Sequence, residues 1–130
     1  MSTLKVGTIQ DTSGNNPSTA SEINSGRAKV WVEFSGQASA TEIASFGVSS
    51  LARTSDGNYT VNFSSNFSNT NYAVFATSGI NIDTYADGLQ TQDNVAVVLN
   101  KFVDKVYIGT ADLDDGAPDD QDRVSVVIFA

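Results

Sequence analysis

Residues 27–34 read Arg27-Ala28-Lys29-Val30-Trp31-Val32-Glu33-Phe34. Ala28, Val30, Val32 and Phe34 alternate with Arg27, Lys29, Trp31 and Glu33, and a period of two predicts a β-strand with one buried face. Trp31 falls on the polar side of that strand. The stretch therefore predicts a large aromatic side chain outside the core, covered by another element or another subunit.

Downstream the same period recurs. Gly36-Gln37-Ala38-Ser39-Ala40 breaks the first strand. Phe46, Val48 and Ser50 alternate again and reach Leu51 through a slip. Thr54-Ser55-Asp56-Gly57-Asn58 contains Asp-Gly, a hairpin turn. Tyr59, Val61 and Phe63 return from it with Thr60 and Asn62 facing out, so a hairpin is expected from Phe46 to Phe63. Trp31-Val32-Glu33-Phe34-Ser35 and Tyr59-Thr60-Val61-Asn62-Phe63-Ser64 echo one another, as any two strands with an outward aromatic do. Asn69 to Asn71 is a turn. Tyr72 to Thr77 has no polar side across Ala73-Val74-Phe75-Ala76 and predicts a strand buried on both faces. Residues 79–94 fit no single pattern, although Ile80, Ile82 and Tyr85 alternate within them. Val95 to Phe102 and Lys105 to Thr110 read as strands, and the apolar Val124 to Ala130 as a terminal one. About eight short strands at spacings near ten residues predict an all-β fold, an antiparallel β-sandwich.

Upstream, Leu4 to Ile9 reads as a short strand. Asp11 to Pro17 is rich in Asn, Ser and Gly and predicts turns. Ser18 to Asn24 fits one or two helical turns, with Ser18 as cap and Gly26 as terminator. Residues 1–26 thus read as an N-terminal arm, and residues 27–130 as the sandwich domain.

Composition narrows the function. A chain of 130 residues with 40% hydrophobic residues has material for one core. Only 17% of residues are charged, whereas 39 are Ser, Thr or Asn, which suits the turns and exposed faces of β-proteins. The net charge is −8, which disfavours nucleic acid and anionic lipid as partners. No apolar run approaches the ~20 residues that span a bilayer, so membrane insertion is not expected. Met1-Ser2-Thr3-Leu4-Lys5-Val6 has no signal-peptide core, which makes synthesis in a cytoplasm the expectation. With no Cys and no His, thiolate chemistry and a Ser-His-Asp triad are ruled out.

Six of the 15 acids lie between Asp112 and Asp122. Asp112, Asp114 and Asp115 precede Gly116, one residue short of the EF-hand spacing and with no later Glu. A solvated acidic hairpin tip that discourages edge pairing is the expectation, with an irregular calcium site as its rival. Glu33, Glu42, Asp83, Asp87 and Asp93 are the carboxylates that a glycosidase reading would need. Nothing in their spacing pairs them, so no catalytic, metal or cofactor residues are assigned.

The opening phrase from Met1 to Asn16, Met1-Ser2-Thr3-Leu4-Lys5-Val6-Gly7-Thr8-Ile9-Gln10-Asp11-Thr12-Ser13-Gly14-Asn15-Asn16, resembles the start of virion structural and tail-fibre-like proteins of marine tailed phages, cyanophages above all. Arg27 to Phe34, Ser45 to Leu51, Gly57 to Phe63, Asn71 to Val74 and Val124 to Ala130 resemble phrases of the same proteins. The likeness covers most of the chain and is weakest over residues 80–122. It implies a virion component made in a host cytoplasm, attached to other virion proteins through residues 1–26, with a trimer-forming, outward-facing β-domain. On that basis Leu4, Val6 and Ile9 are expected at the virion attachment and Trp31 and Phe129 at a subunit interface of a homotrimer. The loops around Asp56, Asn69, Asp87, Asp112, Asp114 and Asp115 are expected to be exposed to a host glycan or surface protein. The chain lacks a long shaft, which keeps three roles open: a short tail fibre, a capsid decoration or head-fibre protein, and an adaptor between tail parts. A glycan-cleaving, tailspike-like domain is a further alternative of another class.

Overall fold

The computed structural model describes residues 5–79, 94–112 and 116–130. In chain order its elements are β1 (Thr8–Ile9), β2 (Ser18–Thr19), α1 (Ala20–Ser25), β3 (Ala28–Ser35), β4 (Thr41–Phe46), β5 (Val48–Ser55), β6 (Asn58–Phe63), β7 (Ala73–Gly79), β8 (Asn94–Lys101), β9 (Lys105–Asp112) and β10 (Arg123–Phe129). β3 to β10 form two four-stranded antiparallel sheets, ordered β4-β3-β10-β7 and β5-β6-β9-β8. They pack face to face as a sandwich, which is the expected class.

The period-two pattern supplies the core. Val30, Val32 and Phe34 of β3 lie beside Val124, Val126 and Ile128 of β10. Across the sandwich they meet Tyr59, Val61 and Phe63 of β6 and Val106 and Ile108 of β9. Most of these side chains are fully buried. Each such aliphatic residue removed from water contributes about 1.5–3 kcal/mol. The Phe34 and Tyr59 rings meet edge to face at 5.1 Å, joining the two sheets.

Several local expectations are corrected. The segment after Gly36 holds a strand, β4, and Phe46 belongs to it rather than to the hairpin with Phe63. Gly47 makes the corner between β4 in one sheet and β5 in the other. Its φ is +74°, and a Cβ there would lie 2.6 Å from the Lys29 carbonyl oxygen, so only glycine turns this corner. The Asp-Gly hairpin is present as β5–β6 and starts at Val48, with register shifts at Val48/Ser50 and Arg53/Ser55. β7 is not buried on both faces. It is an edge strand, and Phe75 is 63% exposed. β10, by contrast, lies inside its sheet, between β3 and β7. The echo between Trp31 and Tyr59 fails on parity. Trp31 stands three residues before the inward Phe34 and so faces out, whereas Tyr59 stands four before the inward Phe63 and faces in.

The N-terminal segment has structure of its own. β1 and β2 pair antiparallel, a shorter strand than the Leu4–Ile9 expected. α1 follows, capped by Thr19 rather than Ser18. Thr19 and Glu22 form a capping box, and Gly26 ends the helix as expected. The Lys29 ammonium of β3 donates to the Asn24 side-chain oxygen at 2.7 Å, tying the helix to the first long strand.

Candidate functional site

Two regions stand out, one apolar on the outside and one acidic on the inside. The first is the outer face of the β4-β3-β10-β7 sheet. Cross-strand register aligns Phe46 with Trp31, Trp31 with Val127, and Val127 with Phe75. One apolar row therefore crosses all four strands, a span of about 14 Å at the usual strand spacing. Phe46 is 53% exposed, Trp31 38% and Phe75 63%. Phe129 adds a fifth apolar side chain, meeting Phe75 edge to face with ring centroids 6.1 Å apart. At the Phe46 end the row runs into a hollow of about 670 Å³ lined by Lys29, Gly47, Asn66, Phe67 and Ala130 among others. The adjoining row across the sheet is Ala44, Glu33, Ser125 and Thr77, and there Glu33 is ion-paired with Arg123 at 3.0 Å. The apolar row thus borders a locally neutral strip in a chain of net charge −8. Trp31 and Phe129, expected at an interface, lie together on this face. Phe46 and Phe75 complete it. Alternation along β4 and β7 is the sequence signal that marks them, masked by the corner at Gly47 and by the apolar run of β7.

The second region is the acidic segment after β9. It is not a hairpin tip, because β9 and β10 lie in different sheets and the chain crosses between them here. Residues 116–122 fold back onto the β5–β6 turn and the β3–β4 loop. Asp120 is the hub. Arg53 Nε donates to its Oδ2 at 2.7 Å, while the Gly57 amide and the Tyr59 hydroxyl each donate to Oδ1 at 2.9 Å. The side chain of Gln37 donates to the Asp120 carbonyl at 2.8 Å, and the Gly36 amide donates to the Gln121 carbonyl at 2.8 Å. Thr110 adds a hydroxyl bond of 2.6 Å to the Asp119 carbonyl. Gly57, with φ +62°, is clamped beneath this segment, where a Cβ would sit 2.3 Å from the Thr110 carbonyl oxygen and 2.6 Å from the Asp119 amide.

Burial pushes the Asp120 carboxyl up, but the bonds from Arg53, the Gly57 amide and Tyr59 together outweigh it and hold the group below its ordinary 3.8. Burial pushes the Tyr59 hydroxyl up to about 12. The same pairing raises Arg53, chiefly through its hydrogen bond to Asp120. These shifts mark a structural knot joining three loops. Composition counts Asp120 as one more acid among six, and nothing in the sequence distinguishes it.

The other expected site residues scatter. Val6 and Ile9 are exposed and line a shallow hollow of about 330 Å³ with Ala20, Ile23, Asn24 and Arg27. Leu4, Asp87, Asp114 and Asp115 lie outside the described residues. Asp56 is exposed at the β5–β6 turn and ion-paired with Arg53. Asn69 is exposed between β6 and β7, where its side chain accepts from the Asn71 amide at 2.8 Å. Asp112 closes β9 half-buried, its amide donating to the Ala117 carbonyl at 3.2 Å. Asp112 itself thus ends a strand, and residues 113–115 that follow it lie outside the described residues. Among the described residues no group of three or more acids is placed to hold a metal ion.

No protein-family model, no curated protein and no solved structure matches this chain.

Proposed function

We propose that this protein is a non-enzymatic structural module of a tailed-phage virion, a trimeric tail-fibre unit that assembles through the outer face of its β4-β3-β10-β7 sheet. The observation that carries the reading is the Phe46-Trp31-Val127-Phe75 row. Four apolar side chains in register, three of them aromatic and more than one-third exposed, are the kind of contiguous patch that marks an interaction surface. A second copy is the chosen occupant because the face is locally neutral. Copies of net charge −8 can then approach there without placing unpaired acids against each other. The virion setting and the threefold state come from the resemblance of the strand phrases to phage fibre proteins. The exposed Val6 and Ile9 beside Ile23 give residues 1–26 an apolar contact for another virion protein.

Sedimentation equilibrium tests the assembly. The expected mass is three times the 13.7 kDa chain. The double variant Trp31→Ser/Phe75→Ser is expected to sediment as one chain with an unchanged far-ultraviolet spectrum. A wild-type protein that stays monomeric at the highest soluble concentration would remove the trimer. Imaging of intact particles tests the setting: threefold density at the tail periphery supports a fibre, and density over the capsid lattice makes the protein a decoration protein.

A further inference from the structure

The outer face of the other sheet carries a groove of about 460 Å³, lined by Thr54, Ser55, Asn58, Thr60, Leu99 and Tyr107 among others. We infer that this groove binds one neutral sugar unit of a glycan. The inference goes beyond the assembly reading and lies on the opposite side of the sandwich from the aromatic row.

Three features carry it. First, Thr60 is only 9% exposed, and it points away from the core because its neighbours Tyr59 and Val61 point into it. Its hydroxyl makes no hydrogen bond to another described residue, and it is not a buried unsatisfied group, so it opens on the groove. It lies in the groove wall, where a ligand can take the place of water. Second, Thr60 pairs across the ladder with Tyr107, whose hydroxyl is likewise without a partner among the described residues. Phe102 meets the Tyr107 ring edge to face at 5.0 Å and holds its orientation. Third, Leu99 lies on this face by simple alternation, since its neighbour Val98 pairs with the inward Ile108. Leu99 lies over Gly109, where a Cβ would be 3.1 Å from its methyl groups. A larger residue at 109 would lift Leu99 off the sheet.

The result is an aromatic ring and an aliphatic wall beside unpaired hydroxyls. Asn58 spends its amide hydrogens on Ser55 Oγ at 3.1 Å and the Asp56 carbonyl at 2.8 Å. That leaves its carbonyl oxygen to accept and the Ser55 hydroxyl hydrogen to be donated. A pyranose offers the complement, with C–H faces for the ring and Leu99 and alternating hydroxyls for Thr60, Tyr107, Ser55 and Asn58. None of these six lining residues is charged, and the chain's net charge is −8, so phosphorylated and carboxylated sugars have no cation to pair with here.

The probes are methyl glycosides of glucose, galactose, mannose and N-acetylglucosamine, titrated into the full chain and followed by amide chemical shifts. At least one is expected to shift the amides of residues 54–60 and 107–109 saturably, while glucose 6-phosphate and N-acetylneuraminic acid do not. Thr60→Val, which keeps the side-chain shape, and Tyr107→Phe are each expected to weaken that binding roughly three- to tenfold, the effect of one hydrogen bond. Thermal midpoint and sedimentation mass should not change. No saturable shift with any neutral glycoside, equal binding by both variants, or shifts confined to the Trp31 face would each overturn the inference. A loss of trimer mass with sugar binding intact would count against the assembly reading alone.

Discussion

The acidic segment 116–122 and the outer row Phe46-Trp31-Val127-Phe75 hold residues in the reverse of their usual places. The segment is rich in carboxylates, yet it turns Asp120 inward to accept bonds from Arg53, Gly57 and Tyr59. The row is apolar, yet three of its four members are more than one-third exposed. The difference is a matter of partners. A carboxylate can be buried once donors surround it, because hydrogen bonds to the ionised form offset its desolvation. Among the described residues nothing covers the apolar side chains on this sheet's outer face, and a contiguous exposed apolar patch is the mark of an interaction surface. Residue type alone therefore points the wrong way in both places.

This contrast can be broken most strongly at Gly57. Gly57→Ala is expected to destabilise the fold by about 4 kcal/mol or more, since backbone atoms on both sides and the positive φ leave no room for a methyl group. Urea denaturation measures it. A loss under about 1 kcal/mol would mean that residues 116–122 do not clamp the turn.

Asp120→Ala comes next, at about 3 kcal/mol, because it strands the Gly57 amide and Arg53 Nε, while the Tyr59 hydroxyl keeps the Gly36 carbonyl at 3.2 Å. It also carries a pH signature. The folded pKa of Asp120 lies below its unfolded value, so its contribution is complete at neutral pH and is lost as pH falls through the folded pKa, below about pH 4. Tyr59 has the opposite sign. Its hydroxyl is raised from 10.0 to about 12, so its contribution is complete below pH 10.0 and is lost as pH rises through about 12. Thermal midpoints against pH should fall at both ends. Asp120→Asn should flatten the acid limb and Tyr59→Phe the alkaline one.

The smallest effect on stability sharpens the other half of the contrast. Phe75→Ser is expected to change the chain's own unfolding free energy by under about 0.5 kcal/mol, because the side chain is mostly in water. Its effect should appear only as concentration-dependent loss of association. A large destabilisation at concentrations where the protein is monomeric would show that the row supports the fold itself.

The strands beginning near Arg27, Tyr59, Lys105 and Val124 were legible because a half-buried strand has to alternate, and alternation survives in one dimension. The same rule exposes Trp31 and Phe129. It fails for β4, where the register shift opposite Glu33/Phe34 skips Ile43 and breaks the alternation. It also fails for Tyr72 to Thr77, because an apolar run reads alike in a buried strand and in an edge strand with a sticky face.

By itself the sequence determined that this protein is an all-β sandwich with one outward tryptophan and no thiol or imidazole chemistry. Those are properties of residue identity and local period. Only the tertiary structure decided which acid is a hub, which aromatics share a row and which hydroxyls open on a groove. Each of those depends on which strands become neighbours. Asp120 meets Arg53 across 67 positions of chain, and Phe46 meets Phe75 only through β3 and β10. Pairings over such separations are set by how two sheets close on a common core, which no local window of sequence contains.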